Sequence, residues 1–214
     1  MKQINYICFI MKFEEIKFVL SECSVGIAGA GGLGSNCAAA LVRIGLGHLV
    51  IVDFDRIEES NLNRQYYFRD QIGQPKVVAL KDNLLRINPF LDLTISQEVL
   101  IPGNIPDFFE DVDLLIEAFD KADQKAMLIE TALAVWPDRP VISGSGLAGY
   151  GDFASLQIVR SGSLYICGDQ THETGEEAPP IAPRVGIVSH MQANLALELL
   201  LNLNSPVSSE SFIS

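Results

Sequence analysis

The chain has 214 residues, 48% of them hydrophobic, enough to build one domain with a sizeable core. Fifteen Lys and Arg against 27 Asp and Glu leave a formal net charge of -12, and no basic run stands out as a footprint for nucleic acid or an anionic membrane. Any phosphate site must therefore be local, and a basic protein partner is easier to accommodate than nucleic acid.

At the N-terminus, an apolar run from Tyr6 to Met11 is interrupted by Lys12, Glu14 and Glu15. It is too short for a membrane span and lacks a signal-peptide cleavage region, so the cytoplasm is the expected location. Met11 is an alternative start. Residues 1 to 21 are expected to form an extension with a helix, 22 to 204 a single domain, and 205 to 214 a disordered tail. The four cysteines, Cys8, Cys23, Cys37 and Cys167, include no CxxC pair, which removes the usual zinc-ribbon and thioredoxin spacings and favours buried apolar roles.

Strand-length apolar runs then alternate with helical patterns. SVGIAGA (24 to 30) reads as a buried strand, GLGSNCAAALVRIG (32 to 45) as a helix of small residues, and HLVIVDF (48 to 54) as a second strand. PKVVALKDNLLRIN (75 to 88) starts with a proline at a favourable first helical position and ends at Asn88-Pro89. LDLTISQ (91 to 97), DVDLLIEAF (111 to 119) and RPVISGSG (139 to 146) are further strands, with a helix over 123 to 136. DFASLQIVR and SLYIC flank Ser161-Gly162 as a hairpin, and 185 to 202 is a long apolar helix. This order predicts an α/β, Rossmann-like, mostly parallel sheet flanked by helices, with a C-terminal antiparallel hairpin and a final long helix. Residues 168 to 183, polar and proline-rich, are expected to be a mobile loop serving as a lid or as a plain surface connection.

Gly29, Gly31 and Gly34 form a GxGxxG pattern after a strand and at the opening of a helix, where bare backbone and free helix N-H groups can cradle a phosphate. Asp53 closes the second strand, the usual position of an acid that binds ribose hydroxyls. A nicotinamide dehydrogenase satisfies these features equally well. The following cluster is less ordinary. Arg64 offers a fork for phosphate oxygens, Lys76 a point charge at a helix start, and Asn61 and Gln65 further polar contacts, which suits a polyphosphate lying beyond the ribose. The competing reading is a surface turn capped by Ser60, with Arg64 paired to Glu58 or Asp55. Asp120 lies past the fourth strand, at the sheet edge where ligands bind, and can hold Mg²⁺ against phosphates or simply cap the next helix. His48, His172 and His190 show no metal spacing and are assigned to packing or surface roles.

GAGGLGS, VDFD, SNLNRQ, GQPKV, INP and Asp120, in that order and spacing, resemble the adenylyltransferases of the ubiquitin-activating-enzyme-like superfamily, and within it the short form of the ThiF family of thiamine biosynthesis. The resemblance covers roughly residues 22 to 202. It implies ATP and Mg²⁺, adenylation of the C-terminal glycine of a ubiquitin-like sulfur carrier ending in Gly-Gly, and a homodimer. By position it implies ATP contacts for Gly31 and Gly32, ribose contact for Asp53, phosphate contacts for Asn61, Arg64 and Lys76, and the Mg²⁺-linked catalytic role for Asp120.

Three departures qualify the resemblance. The two CxxC pairs of larger bacterial members are absent, so no zinc is expected. The segment after Cys167 has no cysteine for a covalent carrier link. The first arginine is Arg43, inside a helix, where family members often supply an N-terminal arginine to the neighbouring subunit. A related tRNA-modifying dehydratase and a non-catalytic carrier-binding subunit remain alternatives.

Overall fold

The computed structural model describes residues 11–172, 175 and 177–204. The expected tail at 205 to 214, the apolar run before Met11 and Cys8 lie outside the described residues. The elements are α1 (Phe13–Leu20), β1 (Ser24–Ala28), α2 (Gly32–Arg43), β2 (His48–Val52), α3 (Lys76–Leu85), β3 (Asp92–Ser96), α4 (Ile105–Phe109), β4 (Leu114–Glu117), α5 (Ala122–Val135), β5 (Val141–Ser145), β6 (Gln157–Ser161), β7 (Leu164–Gly168) and α6 (Ala182–Asn204).

Seven strands form one sheet in the order β3-β2-β1-β4-β5-β7-β6. All neighbours pair parallel except the β6–β7 hairpin, as the sequence pattern predicts. Side chains alternate across each strand, and the sheet uses both faces. Val25, Ile27, Leu114, Ile116 and Ile142 pack into one core with Leu41 of α2, Leu80 of α3 and Val188 of α6. Ala28, Val52, Leu115 and Val141 face a second core with Phe109 of α4 and Leu128 and Ala132 of α5. Each such Val, Leu, Ile or Phe side chain stabilises the fold by about 1.5–3 kcal/mol through burial. The small residues of α2 have a clear purpose: Cys37, Ala38 and Ala39 are buried, letting the helix lie close against the sheet and α6.

Two segments differ from the sequence expectations. The short helix α4 follows Asn104, whose side chain binds the Ile101 N-H at 2.8 Å, and its burial comes from the sheet face it covers rather than from a long periodic pattern. The expected mobile loop is shorter and partly anchored. Gly168 still belongs to β7, α6 already begins at Ala182, and Asp169 is buried between them. Composition hid this anchor, because one buried carboxylate with good partners can hold a polar segment that has little apolar area.

Candidate active site

Strand order reverses between β1 and β4, and a cavity of about 470 Å³ opens beyond the carboxyl ends of these strands. Gly29, Gly31, Gly32, Asp53, Arg64, Gln65, Lys76 and Asp120 all line it; Gly34 and Asn61 do not.

The glycine loop has a specific steric logic. Gly29 has φ +101°, and a Cβ there would lie 2.8 Å from the Ala118 carbonyl oxygen of the neighbouring turn. A Cβ on Gly34 would lie 1.9 Å from the Gly29 oxygen, so the first turn of α2 presses directly on the loop. Asp53 fastens this loop to the end of β2: its Oδ2 accepts from Ala30 N at 2.6 Å and its Oδ1 from Asp55 N at 2.7 Å. Burial pushes the Asp53 pKa up, against the opposing pull of the Lys76 charge and the two backbone donors. Each carboxylate oxygen keeps a free lone pair for a ribose hydroxyl.

The polar segment after β2 is folded onto that loop and bonded to it. Ser35 Oγ donates to the Gly31 carbonyl at 2.6 Å and accepts from Tyr66 N at 3.0 Å. Asn36 Nδ2 donates to the carbonyls of Gly32 and Arg64, at 2.7 and 2.9 Å. Tyr67 donates to the Ala30 carbonyl at 2.7 Å, and burial together with the Asp53 and Asp55 charges keeps its phenol protonated. Gly32 leaves room for the stem of Arg64, whose Cγ lies 3.5 Å from where a Cβ would be.

Within the cluster the roles divide. Arg64 Nη1 donates to Asn63 Oδ1 at 2.8 Å and to the Ser60 carbonyl at 3.2 Å, and makes no ion pair among the described residues. The surface pairing with Glu58 or Asp55 is therefore not what the structure contains, and its guanidinium charge remains available to an anion. Ser60 does not cap the turn either. Asn61, expected beside the phosphates, instead uses Oδ1 to accept from Glu58 N at 3.0 Å, closing a 3-10 turn over Glu59–Asn63. Its backbone carbonyl accepts from the N-H groups of Arg64 and Gln65, and it does not line the cavity. Gln65 lines the cavity with a buried amide oxygen that has no protein partner, an acceptor that a ligand N-H or O-H would satisfy. Lys76, only 6% exposed, pairs with Asp55 at 2.6 Å, so an incoming phosphate would compete with that carboxylate. Asp120 is exposed in the turn after β4.

The sequence reading missed a buried network on the other wall. Glu117, fully buried on β4, accepts from Lys125 Nζ at 2.7 Å and Ser143 Oγ at 2.6 Å through Oε2, and from Phe119 N at 2.7 Å through Oε1. It thereby shapes the turn carrying Asp120, and Lys125 lines the cavity. The signal was present: an acid inside the apolar run of β4 must be paired if it is buried. His172, expected in a packing or surface role, is exposed and also lines the cavity, and His48 makes a surface pair with Asp92 at 3.0 Å. His172 pairs with Asp169 three residues before it, and Asp169 meets the buried Arg184 only in the fold, so no metal-type spacing marked the histidine. Arg43 donates to Tyr66 Oη at 3.3 Å and does not line the cavity.

Cys23, Cys37 and Cys167 are buried, and burial pushes the Cys167 thiol up to about 12. No group of three or more His, Cys, Asp or Glu is placed to hold a metal among the described residues, and none of their helices is long and apolar enough to cross a membrane.

Residues 10–214 match the model of the ThiF family. The chain belongs to this family. It is 29% identical over 194 residues to the molybdopterin-synthase adenylyltransferase of Escherichia coli K12, covering 88% of this chain and 77% of the relative. It is 32% identical over 193 residues to the adenylyltransferase and sulfurtransferase UBA4 of Yarrowia lipolytica, covering 87% of this chain but only 47% of the relative. This ThiF-family chain thus spans about half the length of that two-activity relative. Both relatives are named as adenylyltransferases, the nucleotidyltransferase class expected from SNLNRQ and GQPKV. In structure it is similar to the E. coli tRNA N6-threonylcarbamoyladenosine dehydratase in complex with ATP, with a TM-score of 0.80, 20% identity, and coverage of 89% of this chain and 90% of that one. That likeness establishes the shared fold.

Proposed function

We propose that this chain adenylates the C-terminal glycine of a ubiquitin-like sulfur carrier, using ATP and releasing pyrophosphate, and that the carrier is ThiS-like and serves thiamine biosynthesis. The observation that carries the reading is the docking of the Arg64–Gln65 segment onto the glycine loop through Ser35 and Asn36. A dinucleotide needs only the loop and Asp53, whereas a triphosphate also needs a cation beyond the ribose.

The chemistry requires positioning and charge neutralisation rather than a protein nucleophile. The glycine loop and the N-terminus of α2 receive phosphate, Asp53 the ribose, and Arg64 and Lys76 the negative charge that grows on departing pyrophosphate. The carrier carboxylate oxygen bonds to the α-phosphorus as the bridging bond to the β-phosphate breaks, and pyrophosphate leaves with that electron pair. Mg²⁺ fits the donor set, since it usually arrives with phosphate oxygens and takes one or two protein carboxylates. Asp120 would hold it, and the ion would supply charge neutralisation. A homodimer is part of this reading.

Activation of a tRNA-borne carboxylate is the second reading, supported by the whole-chain likeness to the dehydratase fold. The net charge of -12 weighs against it. Exchange of labelled pyrophosphate into ATP, dependent on a carrier ending in Gly-Gly, tests the proposal. Exchange with tRNA alone would favour the second reading, and ATP binding without exchange would leave a carrier-binding subunit.

A further inference from the structure

Adenylation as proposed above moves no proton, because the attacking carboxylate is already ionised and pyrophosphate leaves as an anion. The acyl adenylate it produces is different. A thiol that attacks the activated carbonyl carries a proton it must lose, and thiolate is the effective nucleophile. The described cysteines cannot fill this role themselves, since Cys23, Cys37 and Cys167 are buried and burial raises their pKa values. An external thiol can supply the nucleophile.

Among the described residues, His172 is the histidine that lines the nucleotide cavity, and its ring is held as a base would be. Its Nδ1 lies 2.7 Å from Asp169 Oδ2, while the ring remains 56% exposed. Asp169 has a fully buried side chain, also paired through Oδ2 with the buried Arg184. Its Oδ1 accepts from the backbone N-H groups of Thr171 and His172, at 2.9 and 3.0 Å. Burial opposes the charge on Asp169, but these donors and the His172 ring outweigh it and hold the pKa below the usual carboxylate range. An ionised carboxylate only accepts, so it favours a proton on Nδ1, which in the neutral ring leaves the lone pair on Nε2.

The ring also stands at a junction. His172 lines a second opening of about 110 Å³, shared with Gly149, Tyr150, Asp152 and Ala178. Its carbonyl accepts from Ala148 N at 3.4 Å, tying the backbone to the wall of that opening. Among the described residues, Asp169 from its own loop pairs with the ring, and Arg184 from α6 and Asp152 from the connection between β5 and β6 are the charged groups lining that opening with it.

We infer that His172 is the general base of a second half-reaction, in which an external thiol consumes the acyl adenylate. Sulfur bonds to the carbonyl carbon, the carbon–oxygen bond to the phosphate breaks, AMP leaves with that electron pair, and the thiol proton passes to His172 Nε2. The products are a carrier thioester, AMP and an imidazolium that returns its proton to water. This step rests on the adenylation proposed above.

The test uses the full chain with ATP, a carrier ending in Gly-Gly and 2-mercaptoethanol as the probe thiol, and follows pyrophosphate exchange and thioester formation together. In the wild type, thioester formation should accompany pyrophosphate exchange. In His172→Gln the ratio of thioester formation to exchange should fall about 100-fold, the usual scale for a general base. Added imidazole should restore part of the transfer in His172→Ala, which a merely structural role would not allow. An unchanged ratio in His172→Gln overturns the inference while leaving adenylation standing. Absence of exchange in the wild type removes both.

Discussion

The two walls of the cavity are built by different means. On the β1–β2 side, the functional groups are held mainly by bonds to backbone: Asp53 to Ala30 and Asp55 N-H, Asn61 to Glu58 N-H, Asn36 to two carbonyls. On the β4–β7 side, side chains hold each other around buried carboxylates, as Glu117 with Lys125 and Asp169 with Arg184 and His172. Backbone partners survive most substitutions, whereas a buried ion pair leaves a stranded charge when one member is lost. The second wall should therefore be the more fragile to single changes in side-chain chemistry.

Lys125→Met is the strongest way to break that comparison. It leaves Glu117 charged and fully buried with only Ser143 and a backbone donor, and should destabilise the fold by about 3–5 kcal/mol in urea denaturation. A loss below about 1 kcal/mol, the scale of an exposed pair, would mean the two walls are equally robust. Asp169→Asn should give a smaller loss, because Asn keeps an acceptor while removing the charge opposite Arg184. Its pH dependence is the sharper readout. The Asp169 pKa is depressed in the fold, so its contribution is present above the ordinary carboxylate range and is lost as pH falls below it. The gap in urea midpoint between wild type and Asp169→Asn should therefore be wide at pH 7 and narrow below about pH 4.

The backbone-built wall has its own weak point, which is steric rather than electrostatic. Gly34→Ala places a Cβ 1.9 Å from the Gly29 oxygen, and neither backbone can yield easily. A destabilisation of about 1–3 kcal/mol is expected, with nucleotide binding by calorimetry lost or severely weakened. Arg64→Ala should leave the urea midpoint nearly unchanged while lowering kcat/KM for pyrophosphate exchange about 10- to 100-fold, the equivalent of a lost charge-assisted hydrogen bond. Equal losses of stability and exchange would recast Arg64 as a structural residue. Smallest of all, Arg69→Ala removes a pair with Glu59 whose partners are 81% and 75% exposed, and should change stability by less than about 0.5 kcal/mol.

The same contrast explains which features the sequence revealed. The strands of the parallel sheet, the small-residue helix α2, the glycine loop, Asp53 and Arg64 follow from local pattern: apolar runs, glycines at fixed offsets, and an acid at a strand end. Eight of the ten site residues expected from that pattern line one cavity: Gly29, Gly31, Gly32, Asp53, Arg64, Gln65, Lys76 and Asp120. Gly34 and Asn61 are adjacent and shape the cavity from behind, a distinction that depends on which way a backbone turns. The other wall depended on the fold. Glu117 meets Ser143 across 26 positions and Arg184 meets Asp169 across 15, and no periodicity links such pairs. Local sequence could specify the nucleotide side because its contacts are made by backbone over short distances along the chain. Side chains that satisfy one another's buried charge become neighbours only when β4, β5, β7 and α6 pack, so tertiary structure alone brought His172 to the rim of the site.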